Sequence, residues 1–119
     1  MSKRFGLGAG LFATVLLVAT TAAAHHGWSS YDAAKVMKPT GQVLASSWGS
    51  PHGEVAMTVN GKRWAVVLAP VSRMEARGLA KADIAVGKTV TVEAYPRTDG
   101  TLEMRAERIM VGAKTVELR

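Results

Sequence analysis

The chain contains no cysteine among its 119 residues. This absence excludes disulfide scaffolds, cysteine-based zinc sites, iron–sulfur clusters and thiol catalysis. Repeats and low-complexity segments are also missing, and 48% of the residues are hydrophobic against 20% charged, which excludes a disordered or fibrous protein. The length suits one folded domain and excludes a multi-domain enzyme.

A hydrophobic run long enough to cross a membrane is missing as well. The longest one, residues 7–19, falls short of the roughly 20 residues that a spanning helix needs. Lys3 and Arg4 precede it, and small residues ending in Ala22-Ala23-Ala24 follow, which is the order of a secretory signal peptide. We therefore predict a signal peptide over residues 1–24, a periplasmic or secreted product, and no membrane span after cleavage; an uncleaved N-terminal anchor is the alternative.

The charge balance argues against a nucleic-acid partner. After cleavage the chain retains 13 Lys and Arg against 9 Asp and Glu, a net charge of +4. A charge this small over a whole domain favours solubility and does not form a nucleic-acid footprint. Arg73, Arg77, Arg105 and Arg108 are interpreted in the same way, as a solvated surface.

The first part of the mature chain differs in pattern from the rest. Residues 25–39 show little periodicity and are interpreted as an N-terminal arm, with Asp32 capping one helical turn. Residues 40–119 form the predicted β-barrel domain. Its first strands are expected over 40–48, over 55–59 and, buried on both faces, over 64–69. Asn60-Gly61 between the last two predicts a tight hairpin.

The second half of the domain begins with a short helix. Pro70 ends the third strand, and a helix is predicted over residues 72–77, with Ser72 as its cap and Gly78 after its last turn. Strands follow over 89–94 and from 102 onwards. The apolar pattern changes parity between Ala106 and Ile109, which predicts a β-bulge. A short closing strand is expected near residues 116–118.

This order of elements indicates the fold class. Three strands, one helix and two or three further strands match the OB-fold, a small barrel with Greek-key connections. We therefore predict a mainly β protein, with an OB-fold-like barrel of five to six strands and one short helix between strands 3 and 4. A half-open β-sandwich with one helix is the competing architecture.

Several short motifs occur in a characteristic order along the chain. They are Ala24-His25-His26, Tyr31-Asp32, Trp48-Gly49-Ser50-Pro51-His52, Trp64, Gly78, Gly87-Lys88-Thr89-Val90-Thr91-Val92 and the stretch 95–100. Together they resemble the small exported bacterial proteins of domain-of-unknown-function family 6152. Members typically show Asn-Pro-His where this chain has Ser50-Pro51-His52, so the histidine is retained. The resemblance implies an exported location and this fold, and it implies no activity.

The three histidines, His25, His26 and His52, are the candidate metal ligands. If cleavage follows Ala24, His25 offers a free α-amine and an imidazole, and His52 can add a third nitrogen. Copper(II) suits such nitrogen-rich geometry, so copper is the candidate cofactor. The arrangement is similar to the histidine brace of secreted copper-binding proteins.

Other uses of these histidines remain open. If cleavage follows Ala23, His26 stands third and can bind copper or nickel with the amine and two backbone amides. Chelation without physiological purpose, or no metal at all, is the simpler interpretation. Thioethers prefer copper(I), but most of the methionines are expected to fill the core.

The alternative function is a metal-free interaction module for an envelope protein or small ligand. Its predicted partner surface consists of Trp48, Tyr31, Asp32 and Pro51. An enzyme is not expected, because the mature chain offers no nucleophile elbow, no phosphate-binding loop and no distinctive carboxylate pair.

Overall fold

The computed structural model describes residues 27–119, so the predicted signal peptide, His25 and His26 lie outside the described residues. The described part is mainly β, with seven strands and one short α-helix. No helix within it has the length and apolarity needed to span a membrane. The strands are β1 (Thr40–Gln42), β2 (Ala45–Ser47), β3 (Glu54–Val59), β4 (Lys62–Val67), β5 (Thr89–Pro96), β6 (Glu103–Val111) and β7 (Lys114–Glu117); the helix is α1 (Val71–Ala76), and 3-10 turns occupy Trp28–Ser30 and Lys81–Ile84.

All seven strands belong to one curled sheet. Six of them follow the order β1-β5-β6-β4-β3-β2, and β7 pairs with β6. The β4–β6 pair is parallel and the other pairs are antiparallel. The two ends of this path, β1 and β2, are separated along the chain by Val43 and Leu44 alone. The sheet therefore curls back on itself into a half-barrel.

The chain changes hydrogen-bonding partners between these two residues. The Val43 N–H donates to the Lys88 carbonyl at 2.8 Å, next to β5, whereas the Leu44 N–H donates to the Ala56 carbonyl of β3 at 2.8 Å. The single first strand predicted over 40–48 is therefore wrong, because its two halves pair with opposite ends of the sheet. As a result, four strands precede the helix where three were predicted, and the total is seven where five to six were predicted.

The core lies inside the curl, and period-two alternation supplies most of it. In β3, Val55 and Met57 are at most 2% exposed, and in β5, Val90, Val92 and Ala94 are at most 1% exposed. These patterns confirm the strands predicted over 55–59 and 89–94. Further core residues come from the other elements: Val43, Val66, Leu68, Ala69, Met74, Leu79, Ile84, Met104, Ala106, Ile109, Val116 and Leu118.

Three local predictions are confirmed. Asn60 and Gly61 both have positive φ, 51° and 78°, as a two-residue hairpin turn requires. In β6, the register shifts where Glu93 faces Arg108 and Ala94 faces Ala106. Glu107 is therefore the extra residue of a bulge, which accounts for the change of parity. The closing strand is also present, as β7.

The helix begins one residue earlier than predicted. Its N-cap is Pro70 and makes no side-chain capping bond, so Ser72 lies inside the first turn and is not the cap. The fixed φ of proline is compatible with a helix start, which explains the shift. Gly78, with φ of 91°, follows the helix as predicted. Met74 and Leu79, both buried, fix this short element to the core.

Replacing Val92 by alanine tests the assignment of the core. Val92 is 0% exposed, so losing two methyl-sized groups should lower the free energy of unfolding by about 2 kcal/mol. Val86→Ala is the matched control, since Val86 is 66% exposed and its loss should change stability little. Urea unfolding of the two variants measures this difference, and equal stabilities would contradict the assignment.

Candidate functional site

His52 lies in the loop between β2 and β3. The next residue, Gly53, holds this loop against the chain after β4: its N–H donates to the Ala69 carbonyl at 2.8 Å, and its carbonyl accepts from the Leu68 N–H at 2.9 Å. A Cβ on Gly53 would lie 2.6 Å from Met74 Cε and 3.3 Å from the Ser47 carbonyl oxygen, so any larger residue would displace the Met74 side chain. The half-buried His52 ring has Nδ1 3.3 Å from the Gly53 carbonyl oxygen. His52 is therefore carried by a loop that is fixed on both sides.

The same loop forms one wall of a groove. Trp48, Gly49, Ser50 and Pro51 face the start of α1 across a space of about 340 Å³. The opposite wall consists of Pro70, Val71 and Ser72. The Trp48 side chain is half-buried and packs against the core from this side. The groove thus joins the turn before His52 to the N-terminal end of the helix.

The N-terminal arm runs along the end of β5 and is bonded to it. Tyr31 forms an isolated β-bridge with Arg97, and Met37 forms another with Ala94. The Asp32 N–H donates to the Pro96 carbonyl at 2.8 Å. These backbone bonds make the arm an extension of the sheet.

Tyr31 is the buried anchor of the arm, with 4% of its surface exposed. Its hydroxyl donates to the Glu103 carboxylate at the start of β6. Burial, together with this hydrogen bond, raises the pKa of the Tyr31 phenol above its usual value. Glu103 Oε2 also lies 3.8 Å from Arg97 Nη1. The Glu103 carboxylate therefore connects Tyr31 of the arm to the Arg97 guanidinium.

Before Tyr31 the arm carries Trp28, whose indole is contacted by two guanidinium groups. The central carbon of Arg105 is 4.3 Å from the ring centroid, and that of Arg119 is 4.4 Å away. Tyr95 adds an edge contact, with ring centroids 6.2 Å apart and planes inclined by 71°. We call Trp28, Arg105, Arg119 and Tyr95 the Trp28 clamp.

Positive charge is concentrated at the clamp. Burial is the main cause that lowers the pKa of Arg105, and the like charges of Arg73 and Arg119 act in the same direction. Arg119 is held from two sides: its Nη1 is 3.5 Å from Glu107 Oε1, and its main-chain oxygen accepts from Arg77 at 3.0 Å. Stacking on an indole face is favourable for such weakly hydrated cations.

Strand register relates the clamp to the His52 loop. Arg105 of β6 is paired with Val67 of β4, and Val67 is paired with Glu54 of β3, two residues after His52. Directly paired residues share one face of a sheet, and neighbouring strands lie about 4.8 Å apart. Arg105 and Glu54 are therefore about 10 Å apart, two strands across the same outer face.

The sequence was also compared with known protein families. The profile of a family of unknown function, DUF6152, matches residues 13–105. The match covers well over half of the chain. The chain belongs to this family. The resemblance inferred from the sequence motifs is thereby confirmed, and the matched part of this DUF6152 chain includes Trp28, the His52 loop and Arg105. No curated protein matches the chain.

The structure divides the sequence-predicted site residues of this DUF6152 chain among separate places. His25 and His26 lie outside the described residues, and His52 lies in the loop described above. Trp48 and Pro51 share the groove, whereas Tyr31 is buried in the arm and Asp32 bonds to the neighbouring Ala34 N–H through its side chain. Within residues 27–119, no three His, Asp or Glu side chains are grouped so that they could hold a metal ion.

Sequence reasoning missed the Trp28 clamp. Arg105 was interpreted as part of a solvated surface, and this is wrong, because its Nε is buried and its guanidinium covers an indole. The signal that could have indicated it is a tryptophan in an otherwise irregular arm. Among the methionines, Met57, Met74 and Met104 are 0% exposed and belong to the core, as predicted.

Tyr31→Phe tests the anchor of the arm. Loss of the hydroxyl removes a hydrogen bond from Glu103, and we expect a loss of about 1–2 kcal/mol in the free energy of unfolding at neutral pH. The pKa of Tyr31 is higher in the folded state than the ordinary 10.0, so the folded protein keeps a proton that the unfolded chain loses. Wild-type stability should therefore fall as the pH rises above 10, and the variant should show a shallower fall. Urea unfolding from neutral to alkaline pH measures both effects.

Tyr95→Phe is the control for this experiment. The Tyr95 hydroxyl donates to Glu107 at 2.9 Å, but its side chain is more exposed than that of Tyr31. We expect a smaller loss of stability and a smaller change in the alkaline limb. A Tyr31→Phe protein that lost stability at alkaline pH as steeply as wild type would contradict the assigned role.

Proposed function

We propose that this protein is an exported binding module, periplasmic or secreted, which holds a transition-metal ion on an OB-like barrel and is not an enzyme. The metal would be copper in the first instance. Its ligands would be the α-amine and imidazole of His25 at the processed N-terminus and the imidazole of His52, with His26 beside them.

Strand order supports the OB-like part of this proposal. If β1 and β2 are counted as two halves of one bent strand, the sheet path runs first, fourth, fifth, third, second and back to the first. The third and fifth strands are then the parallel pair, and α1 falls between the third and fourth. This is the connectivity expected of a small Greek-key barrel, with β7 as an addition.

The observation that carries the metal proposal is the position of Trp28. Its ring stacks on Arg105. Arg105 lies about 10 Å across the sheet face from Glu54, which follows the His52 loop. His25 stands three residues before Trp28, and three residues of extended chain reach about 10 Å. The proposal requires the processed N-terminus to reach His52 from this position.

The chemistry of these groups favours copper(II). An α-amine and two imidazoles supply three nitrogen donors, which suit the tetragonal geometry of this ion. All three must be deprotonated to bind, so affinity should fall as the solution is acidified. If processing instead left Ala24 at the terminus, His26 would bind copper with the amine and two backbone amides, and His52 would not be needed.

Copper(II) titration of the exported, correctly processed protein tests the proposal. Mass spectrometry first establishes whether the terminal residue is His25 or Ala24. With His25 terminal, His52→Ala should weaken copper(II) affinity by roughly tenfold or more, because one of three nitrogen ligands is lost. N-terminal acetylation should weaken it further. A competition titration against a chelator of known affinity provides the measurement.

Ser46→Ala is the control variant, since Ser46 is exposed and lies on β2 beside the same hairpin. It should bind copper(II) as wild type does. An affinity unchanged by both His52→Ala and acetylation would reject the site.

A second function is supported by the groove between Trp48 and α1. A metal-free module that binds an envelope protein or small ligand would present this groove, whose Trp48 and Pro51 are joined by Pro70 and Val71. Under this alternative, Trp48→Ala should remove a specific partner captured from envelope extract by the wild-type protein. The same set of captured proteins for Trp48→Ala, wild type and a Val86→Ala control would count against it.

A further inference from the structure

Arginine side chains gather where the chain after β7 passes α1. Arg73, within the helix, donates through Nη1 to the Leu118 carbonyl at 3.0 Å. Arg77, which follows the helix, donates through Nη1 to the Glu117 carbonyl at 2.7 Å and to the main-chain oxygen of Arg119 at 3.0 Å. Two guanidinium groups therefore hold the last residues of the chain against the helix.

The same segment brings a further guanidinium to the Trp28 clamp. The central carbons of Arg105 and Arg119 lie 4.3 and 4.4 Å from the Trp28 ring centroid, so the two cations are close neighbours. Arg73 is near enough to act on them: the pKa of Arg105 is lowered first by burial and then by the like charges of Arg73 and Arg119. We call Arg73, Arg105 and Arg119 the arginine cluster.

The positive charge of the arginine cluster is only partly compensated. Glu107 Oε1 lies 3.5 Å from Arg119 Nη1, and the same oxygen accepts a hydrogen bond from the Tyr95 hydroxyl at 2.9 Å. Arg73 donates to a neutral carbonyl, so this contact brings no negative charge. Because the pKa of Arg105 is lowered overall, its surroundings disfavour its positive charge. A bound anion would reverse this balance and stabilise the whole cluster.

The cluster is also held in position before any ligand arrives. The backbone of Arg105 is paired with Val67 of β4 on one side and with Tyr95 of β5 on the other. Arg73 and Arg105 are half-buried, which limits their freedom and reduces the screening of their charges by salt. Such preorganisation lowers the entropy that binding costs.

We propose that the arginine cluster is a binding site for a phosphate group, carried either by a free phosphate compound or by a lipid headgroup. Guanidinium groups present several N–H donors in a plane and match phosphate oxygens well. A phosphate monoester has three terminal oxygens and up to two charges, so it can accept bonds from cations on different elements. A carboxylate has two coplanar oxygens and one charge, which suit a single guanidinium. This site does not depend on the proposed metal site.

Calorimetric titration of the processed, metal-free protein with inorganic phosphate tests the proposal. Arg73→Gln and Arg119→Gln should each weaken phosphate binding by roughly tenfold, because a charge-assisted hydrogen bond is lost. Arg73→Lys, which keeps the charge but loses the planar group, should fall between wild type and Arg73→Gln. Arg63→Gln is the matched control: it removes the same charge from an exposed position of β4 and should bind as wild type does.

Sedimentation with lipid vesicles distinguishes the two sources of phosphate. A lipid headgroup predicts binding to phosphatidylcholine vesicles that contain phosphatidic acid, and no binding to phosphatidylcholine alone. A free compound predicts calorimetric binding of inorganic phosphate without sedimentation on either vesicle. In both cases Arg73→Gln should weaken binding and Arg63→Gln should not.

Two results would overturn the proposal. One is the absence of binding to both inorganic phosphate and phosphatidic acid vesicles. The other is an equal effect of Arg73→Gln, Arg119→Gln and Arg63→Gln, since a general attraction by net charge would explain it. Urea unfolding establishes that each variant is folded, and Arg119→Gln, at an exposed position, keeps the test valid if Arg73→Gln is unstable.

Discussion

The architecture depends on the change of hydrogen-bonding partner between Val43 and Leu44. One peptide link carries the chain from the β5 side of the sheet to the β3 side, so the sheet cannot lie flat and has to enclose a core. The two side chains reflect this position: Val43 is 1% exposed, whereas Leu44 is 41% exposed. Curling gives every longer strand one inward face. A chain without disulfides can therefore obtain its stability from apolar burial alone.

The parallel pairing of β4 with β6 determines which surfaces become neighbours. In an antiparallel pairing, β6 would run in the opposite direction, and its last residues would lie towards the start of β4. The parallel register instead brings Arg105 opposite Val67, where β4 leaves the sheet towards α1. Trp28 of the arm contacts both Arg105 and Arg119, and the β2–β3 loop is bonded to the chain directly after β4. Such convergence of segments from different parts of the chain is typical of binding sites built on rigid sheets.

Much of the fold was predictable because side-chain alternation reports on burial. The strands containing Met57 and Val92 were located correctly, and the parity change after Ala106 correctly indicated a bulge, since each of these signals is local. The division of the first strand was not predictable. Alternation indicates which face a residue presents, but the partners of Val43 and Leu44 are decided by Lys88 and Ala56, which are distant in sequence. Hydrogen-bond partners across a closing sheet leave no periodic signal.

The candidate site follows the same division between local and distant signals. The turn chemistry around Pro51 correctly indicated a loop at His52, and the lack of periodicity over residues 25–39 indicated an arm. The stacking of Trp28 on Arg105 and Arg119 joins positions with no shared periodicity, and an arginine in a strand has the same pattern whether water or an indole covers it. An aromatic residue close to a chain end is a better indication of such a contact. Ordering a chain end costs conformational entropy, which contacts of its side chains must offset. Trp28 makes such contacts with Arg105, Arg119 and Tyr95.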